Sequence, residues 1–207
     1  DSGIVEEKGF KYDRRWMLIN SDGMFVSQRK YPSLALLQVQ LEDEGLSVFH
    51  KSALENILLI PFDSPIKKYV EVTIWDDQVK AQLVGDDFDR WFSQYVGEEV
   101  RLVLMPENSH RKVDPRFAVK SESVSFADGM PYLLIGQESL NDLNKRLSNS
   151  VPMDRFRPNI VFSGGEAFFE DHWKGIKIGD VDFKVVKPCA RCVLTTVDQE
   201  TGIKGKE

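Results

Sequence analysis

The first hundred residues are a succession of short β-prone segments separated by tight turns, and no other feature limits the fold as much. Trp16-Met17-Leu18-Ile19, then Asn20-Ser21-Asp22-Gly23, then Met24-Phe25-Val26 reads as strand, turn and strand. Segment 34–41 alternates in part, with Leu37, Val39 and Leu41 on one face and Gln38 and Gln40 on the other. Segments 45–49, 57–60, 70–75 and 78–83 supply further strands, the last two joined across Asp76-Asp77. Many short strands with tight turns predict a small barrel or sandwich, because a sheet that closes on itself or packs on another buries its apolar face.

The period then changes. Phe88, Trp91, Phe92 and Tyr95 share one face of a helix, with Asp86 expected as its N-cap and Gly97 as its stop. Strand character returns at 100–105, and the polar, proline-bearing stretch 106–117 reads as a linker or an ordered surface loop. The second half is mixed. Residues 131–135 and 158–162 read as strands and 137–147 as a helix with Leu140, Leu143 and Leu147 on one face. Residues 176–186 read as a hairpin. The fold class expected is mixed but mostly β: a β-barrel-type N-terminal domain over 1–105, then a second β-barrel domain with a few short helices over 106–207.

Composition narrows the function. A chain of 207 residues, 42% apolar and 29% charged, is an ordinary globular polypeptide able to bury a sizeable core. A net charge of −6 argues against a nucleic-acid partner. No apolar run approaches the roughly 20 residues of a membrane span. Two cysteines do not make a disulfide framework, so a reducing, cytoplasmic compartment is expected.

Those two cysteines lie in Lys187-Pro188-Cys189-Ala190-Arg191-Cys192-Val193-Leu194-Thr195-Thr196-Val197-Asp198. A soft thiolate beside fixed positive charge is a metal ligand or a nucleophile. A thioredoxin-type pair wants a helix to follow, whereas the β-branched run at 193–197 predicts a strand. A zinc site needs two more ligands, and His50, His110 and His172 stand in no ligand spacing to the pair. Plain burial as small hydrophobes is a further alternative, and Arg191 counts against it.

Three other constellations carry polar chemistry. In Asp154-Arg155-Phe156-Arg157-Pro158-Asn159, a strand starting here would put Arg157 and Asn159 on one face. A guanidinium fork beside an amide suits a phosphate or a heterocycle edge, although a salt bridge plus a turn-closing asparagine explains it equally. In Ser125-Phe126-Ala127-Asp128-Gly129-Met130-Pro131, the Asp-Gly pair turns successive backbone N–H groups toward an anion or forms a plain turn. In Asp13-Arg14-Arg15-Trp16, adjacent arginines enter the first strand on opposite faces, one of them toward solvent.

Taken in order, Asp13-Arg14-x-Trp16, Phe126-Ala127-Asp128-Gly129-x-Pro131, Phe156-Arg157-Pro158-Asn159, Gly179-Asp180-Val181 and Cys189-x-Arg191-Cys192-x-x-Thr195-Thr196-Val197 resemble one family. It is the MOSC proteins with an N-terminal β-barrel domain, which include the mitochondrial amidoxime-reducing component and bacterial relatives. The resemblance covers nearly the whole chain. The family's opening segment and its closing strands have no counterpart between Asp1 and Glu207.

The resemblance implies a molybdenum–molybdopterin cofactor bound between two domains, with Cys192 as the metal ligand and Cys189 not a ligand. It implies that Arg14, Arg157 and Asn159 grip the phosphate and pterin, and that Asp128, Gly129 and Met130 form the loop beside the metal. Asp128 joins Cys192 as a catalytic residue, and Arg191 offsets charge next to the metal. The implied activity is reduction of small N-hydroxylated substrates (amidoximes, hydroxylamines, N-hydroxylated bases) to the parent N–H compound and water. Two cysteines cannot hold an iron–sulfur cluster. Electrons are therefore expected from a ferredoxin-like protein, from a b-type cytochrome with its reductase, or from a C-terminal iron–sulfur domain outside this sequence. The alternatives are a carrier that transfers the cofactor without turnover, and a thiol or sulfur-transfer protein using Cys189 and Cys192 together.

Overall fold

A computed structural model describes residues 3–205. Expectations attached to the chain ends at Asp1 and Glu207 lie outside the described residues. In chain order the first strands are β1 (Val5–Glu6), β2 (Gly9–Phe10), β3 (Trp16–Ile19), β4 (Phe25–Val26), β5 (Leu37–Leu41), β6 (Gly45–His50) and β7 (Ala53–Pro61). They are followed by β8 (Tyr69–Ile74), β9 (Asp77–Leu83), helix α1 (Asp86–Val96) and β10 (Arg101–Leu104). The remainder holds β11 (Leu134–Gly136), helix α2 (Gln137–Arg146), β12 (Ile160–Phe162), β13 (Gly175–Ile178) and β14 (Val181–Lys184). Short 3-10 turns punctuate these elements. The molecule is mostly β, with two α-helices among the described residues.

The chain divides into two compact units that are not consecutive in sequence. One takes residues 14–109 and 196–207, the other residues 1–13 and 110–195.

In the first unit, five strands form a sheet in the order β4-β3-β10-β9-β8, and β5-β6-β7 form a second, three-stranded sheet. The strand pairings within both sheets are antiparallel, and an isolated parallel bridge joins Met24 to Thr73. The core between them is the apolar set Leu18, Val48, Ile60, Val84, Phe92, Val100, Leu102 and Leu104, with Trp16, Phe88 and Trp91 packed on it. The alternation read over 34–41 does not sort β5 as expected: Leu37 packs on this core, but Val39 and Leu41, read on the same face, are 57% and 63% exposed, and the aromatic face of α1 closes the cluster. Helix α1 begins one residue earlier than the caps suggested: Gly85 is the N-cap and Asp86 the first helical residue. Asp86, Asp87 and Asp89 then sit in the first turn, where negative charge meets the positive helix end. Segment 34–36, read as strand, is the end of a 3-10 turn (Pro32–Leu36) because Pro32 supplies its first residue. The β8–β9 hairpin turns on Trp75, held at φ 55. Its indole packs on Phe25, with centroids 5.1 Å apart, and lies under the Arg29 guanidinium at 4.9 Å.

The second unit has smaller sheets. β1 pairs with β2, β13 with β14, and β11 with β12 in parallel, joined by α2 as a crossover must be. Glu170, on the 3-10 turn Phe169–His172, accepts from the Gly136 N–H at 3.0 Å and the Ser139 hydroxyl at 2.6 Å, satisfying donors at the start of α2. A small cluster of Val113, Val124 and Ala127, with Ala118 and Met130 against it, lies under the loop 125–130.

Stretch 106–117 is only in part a connector. From Arg111 onward it is built into the second unit: Val124 donates to the Arg111 carbonyl at 2.8 Å and Val113 donates to Glu122 at 3.0 Å. Arg111 and Val113 are both buried. Sequence polarity masked this, because the buried side of the stretch is carried by single residues.

Candidate functional site

The site residues of the second unit lie on irregular backbone. Cys189 and Cys192 are free thiols and both are exposed, which removes the reading of the pair as buried small hydrophobes. The residues after them form a 3-10 turn, Val193–Thr196, in place of the expected strand. The reason is local: the Thr195 N–H and hydroxyl both donate to the Cys192 carbonyl at 3.1 Å, an alternative that β-branched propensity does not outweigh.

Two anchors hold this loop. The Arg191 guanidinium lies over the Phe156 ring at 5.2 Å, and Arg155 donates to the Thr195 carbonyl at 3.4 Å. Both contacts come from the 3-10 turn Met153–Phe156, so the arginine-bearing turn and the cysteine loop are brought together. Upstream, Lys187 lies over the Phe117 ring at 4.4 Å and the Arg116 guanidinium lies 5.6 Å from the same ring.

Arg157 and Asn159 do not share a strand face, since β12 begins at Ile160. Arg157 caps the preceding turn in the left-handed conformation at φ 51 and is exposed. Asn159 is a strut: its Oδ1 accepts from Leu133 N at 3.0 Å and its Nδ2 donates to Asp13 at 2.8 Å. One Nδ2 hydrogen remains for a ligand.

Asp128 is exposed and Gly129 half-buried. Met130 packs on the Val113–Val124–Ala127 cluster, so the loop offers backbone at that position and not a free side chain. A Cβ at Gly129 would meet nothing within 4 Å, and its φ is unexceptional, so the fold itself gives no reason for glycine.

Arg14 and Arg15 belong to the other unit and have opposite fates. Arg15 is buried and donates to the Met105 carbonyl at 2.9 Å and to Glu107 at 2.8 Å. Arg14 is half-buried and, like Arg157, left-handed at φ 51. Among the described residues five non-glycine residues have positive φ, and two of them are these arginines. Such backbone costs energy and concentrates at ligand clamps. The sequence missed Arg111 and Phe117, which underlie the loop and the cysteine segment. A lone arginine in a polar stretch carries no signal of burial.

Trp173 packs on Phe162 and Phe169. The Phe162–Trp173 centroids are 4.7 Å apart and those of Phe169–Trp173 6.2 Å. Phe168 and Phe169 remain 42% and 51% exposed. Among the described residues no group of three or more His, Cys, Asp or Glu side chains could hold a metal ion.

With this geometry in view, two family descriptions match: a MOSC N-terminal beta barrel domain over residues 2–99 and a MOSC domain over residues 121–207. The chain belongs to the MOSC proteins that carry the N-terminal beta barrel domain. "Mitochondrial amidoxime-reducing component 1" of Mus musculus is 35% identical over 96% of this chain and 59% of its own length. "Mitochondrial amidoxime reducing component 2" of Rattus norvegicus is 39% identical over 92% of this chain and 58% of its own length. A "Molybdenum cofactor sulfurase" of Oryza sativa subsp. japonica is 30% identical over 96% of this chain but 26% of its own length. The chain thus spans a little under three fifths of the amidoxime-reducing components it matches. No helix among the described residues is long and apolar enough to cross a membrane.

Proposed function

We propose that the chain is the cofactor-binding body of a molybdenum-dependent oxidoreductase that reduces small N-hydroxylated compounds. The observation that carries the reading is the free, exposed Cys192 thiol in a chain 35% and 39% identical to relatives named for amidoxime reduction. The residues present fit the group. A thiolate is the ligand a soft, sulfur-rich metal centre takes. Arg157 brings an exposed guanidinium for a phosphate, and the open space at Gly129 leaves room for a flat ring system. When bound, molybdenum–molybdopterin supplies the two-electron centre for N–O cleavage, which yields the N–H compound and water.

The chain's own residues have separate tasks in this reading. Cys192 is the metal ligand and Cys189 is not. Arg157 and Arg14 grip phosphate, Asn159 offers its remaining N–H to the pterin, and Arg191 offsets negative charge beside the thiolate. Asp128, exposed on its loop, holds or moves one of the two protons that N–O cleavage consumes with the two electrons. The division into sequence domains at 105/106, a separate electron donor and a cytoplasmic setting belong to the same proposal.

A carrier that hands the cofactor on is the second reading, favoured by the likeness to a protein named for sulfuration of that cofactor. One experiment separates them. Protein from a host that makes the cofactor should hold near-stoichiometric molybdenum, lost in Cys192→Ser and kept in Cys189→Ser. With a chemical reductant the enzyme converts an aryl amidoxime over many cycles, whereas a carrier does not. Equal loss of molybdenum in both serine variants moves the assignment to the thiol pair.

A further inference from the structure

The buried Arg111 is the polar group the proposed chemistry leaves unexplained. Its side chain reaches along the loop before β11: Nη1 donates to the Ser125 carbonyl at 3.0 Å and to the Ala127 carbonyl, and Nη2 donates to the Asp128 carbonyl at 3.1 Å. Its own carbonyl accepts from Val124 N at 2.8 Å. One residue therefore ties the ladder at 111–124 to every turn of the loop that follows. The other side of the same segment is fixed independently. Ser123 N donates to Glu7 at 2.6 Å and Ser125 N to the Lys8 carbonyl at 3.3 Å, so segment 123–125 is held from both sides.

A trans peptide points its C=O and N–H in opposite directions. The carbonyls of Ala127 and Asp128 face the guanidinium, so the N–H groups of Asp128 and Gly129 face away from it. Among the described residues nothing accepts the Gly129 N–H.

From this geometry we infer that Arg111 is a positioning residue: by gathering the loop carbonyls it presents the Gly129 N–H to the bound cofactor. A neutral side chain cannot do this. Lysine keeps the charge but loses the planar fork that reaches several carbonyls at once. The inference rests on the molybdenum–molybdopterin reading and adds to it a residue that never touches the cofactor.

The test uses full-length protein purified with and without molybdopterin cofactor, as wild type, Arg111→Lys, Arg111→Met and Leu140→Val. Leu140 is buried on α2 and serves as a control for general loss of stability. Amide hydrogen exchange at residue 129 and the rate of cofactor release are read together. Loading should slow exchange at this amide about tenfold or more in wild type and in Leu140→Val, the size of one well-made hydrogen bond. In Arg111→Lys that protection should largely vanish, and cofactor release should quicken about tenfold. Arg111→Met should behave the same way if it folds, and Arg111→Lys decides the matter if it does not. Wild-type protection and release rate in Arg111→Lys would overturn the inference, as would loaded wild type with an unprotected Gly129 amide. Wild type that takes up no cofactor would instead overturn the functional reading, and this inference with it.

Discussion

Single residues separate the cost of folding from the benefit of binding. Arg157 is left-handed, a conformation that costs an L-residue about 1–2 kcal/mol and glycine little. Arg157→Gly should therefore leave the melting temperature of cofactor-free protein unchanged or higher while lowering molybdenum content. A lowered melting temperature with unchanged molybdenum would reassign Arg157 to the fold. Gly129 gives the complementary case. Its Cβ position is empty, so Gly129→Ala should keep the cofactor-free melting temperature and weaken cofactor retention about tenfold by crowding the ligand space. Retention like wild type would return the Asp-Gly pair to a plain turn. Of the adjacent arginines, the sequence indicates that one faces solvent but not which. Burial of Arg15 is decided by the Met105 carbonyl and Glu107, which are some ninety residues away in the chain. Arg111 was illegible for the same reason, since its acceptors are backbone carbonyls that any sequence would offer.

Strands β3, β6, β8 and β9 and both helices formed where the sequence placed them, and departures came where a local hydrogen bond competed. The 3-10 turn after Cys192 replaced a strand because Thr195 had a nearer acceptor. Helix α1 carries a titrating link of the same kind, as the Asp89 carboxylate accepts from Leu102 N at 2.7 Å at the start of β10's core face. Burial pushes the Asp89 pKa above its ordinary value of 3.8, opposed by the Leu102 N–H and by Arg101. The sign follows: the folded state holds the proton longer than the unfolded state does. Asp89 therefore contributes stability that is fully present below pH 3.8 and lost as pH rises through the folded pKa. Asp89→Asn keeps the acceptor and removes the titration, so its melting temperature should fall less across that window. Parallel curves for the two proteins would exclude Asp89 as the source. At the start of β6, a Cβ on Gly45 would lie 2.2 Å from the Ile60 carbonyl oxygen of β7. Gly45→Ala should thus cost about 1–3 kcal/mol, read by denaturant unfolding, by forcing the β6–β7 pair apart. A cost near zero would show that the pair can separate freely there.

At the scale of the molecule, the two compact units exchange chain ends: residues 196–207 belong with 14–109, and 1–13 with 110–195. Val197 is fully buried in the first unit, and Lys51 donates to the Gln199 carbonyl at 2.8 Å and to Glu200 at 2.7 Å. Truncation after Thr195 should therefore destabilise the unit that holds 14–109 by about 1.5–3 kcal/mol from Val197 alone. Calorimetry of the truncated chain checks this, and an unchanged transition would mean that the tail adds nothing. By itself the sequence determined the mostly β class, the aromatic face of α1 and the ordered motifs of the MOSC family. These follow from periodicity and residue type, which are local and written in order along the chain. Tertiary structure alone decided that Arg111 lies beneath the Asp128–Gly129 loop, that Phe117 supports Lys187, and that the last dozen residues join the first unit. Each of these depends on partners distant in sequence, whose meeting is set by the burial of the whole chain and not by any segment of it.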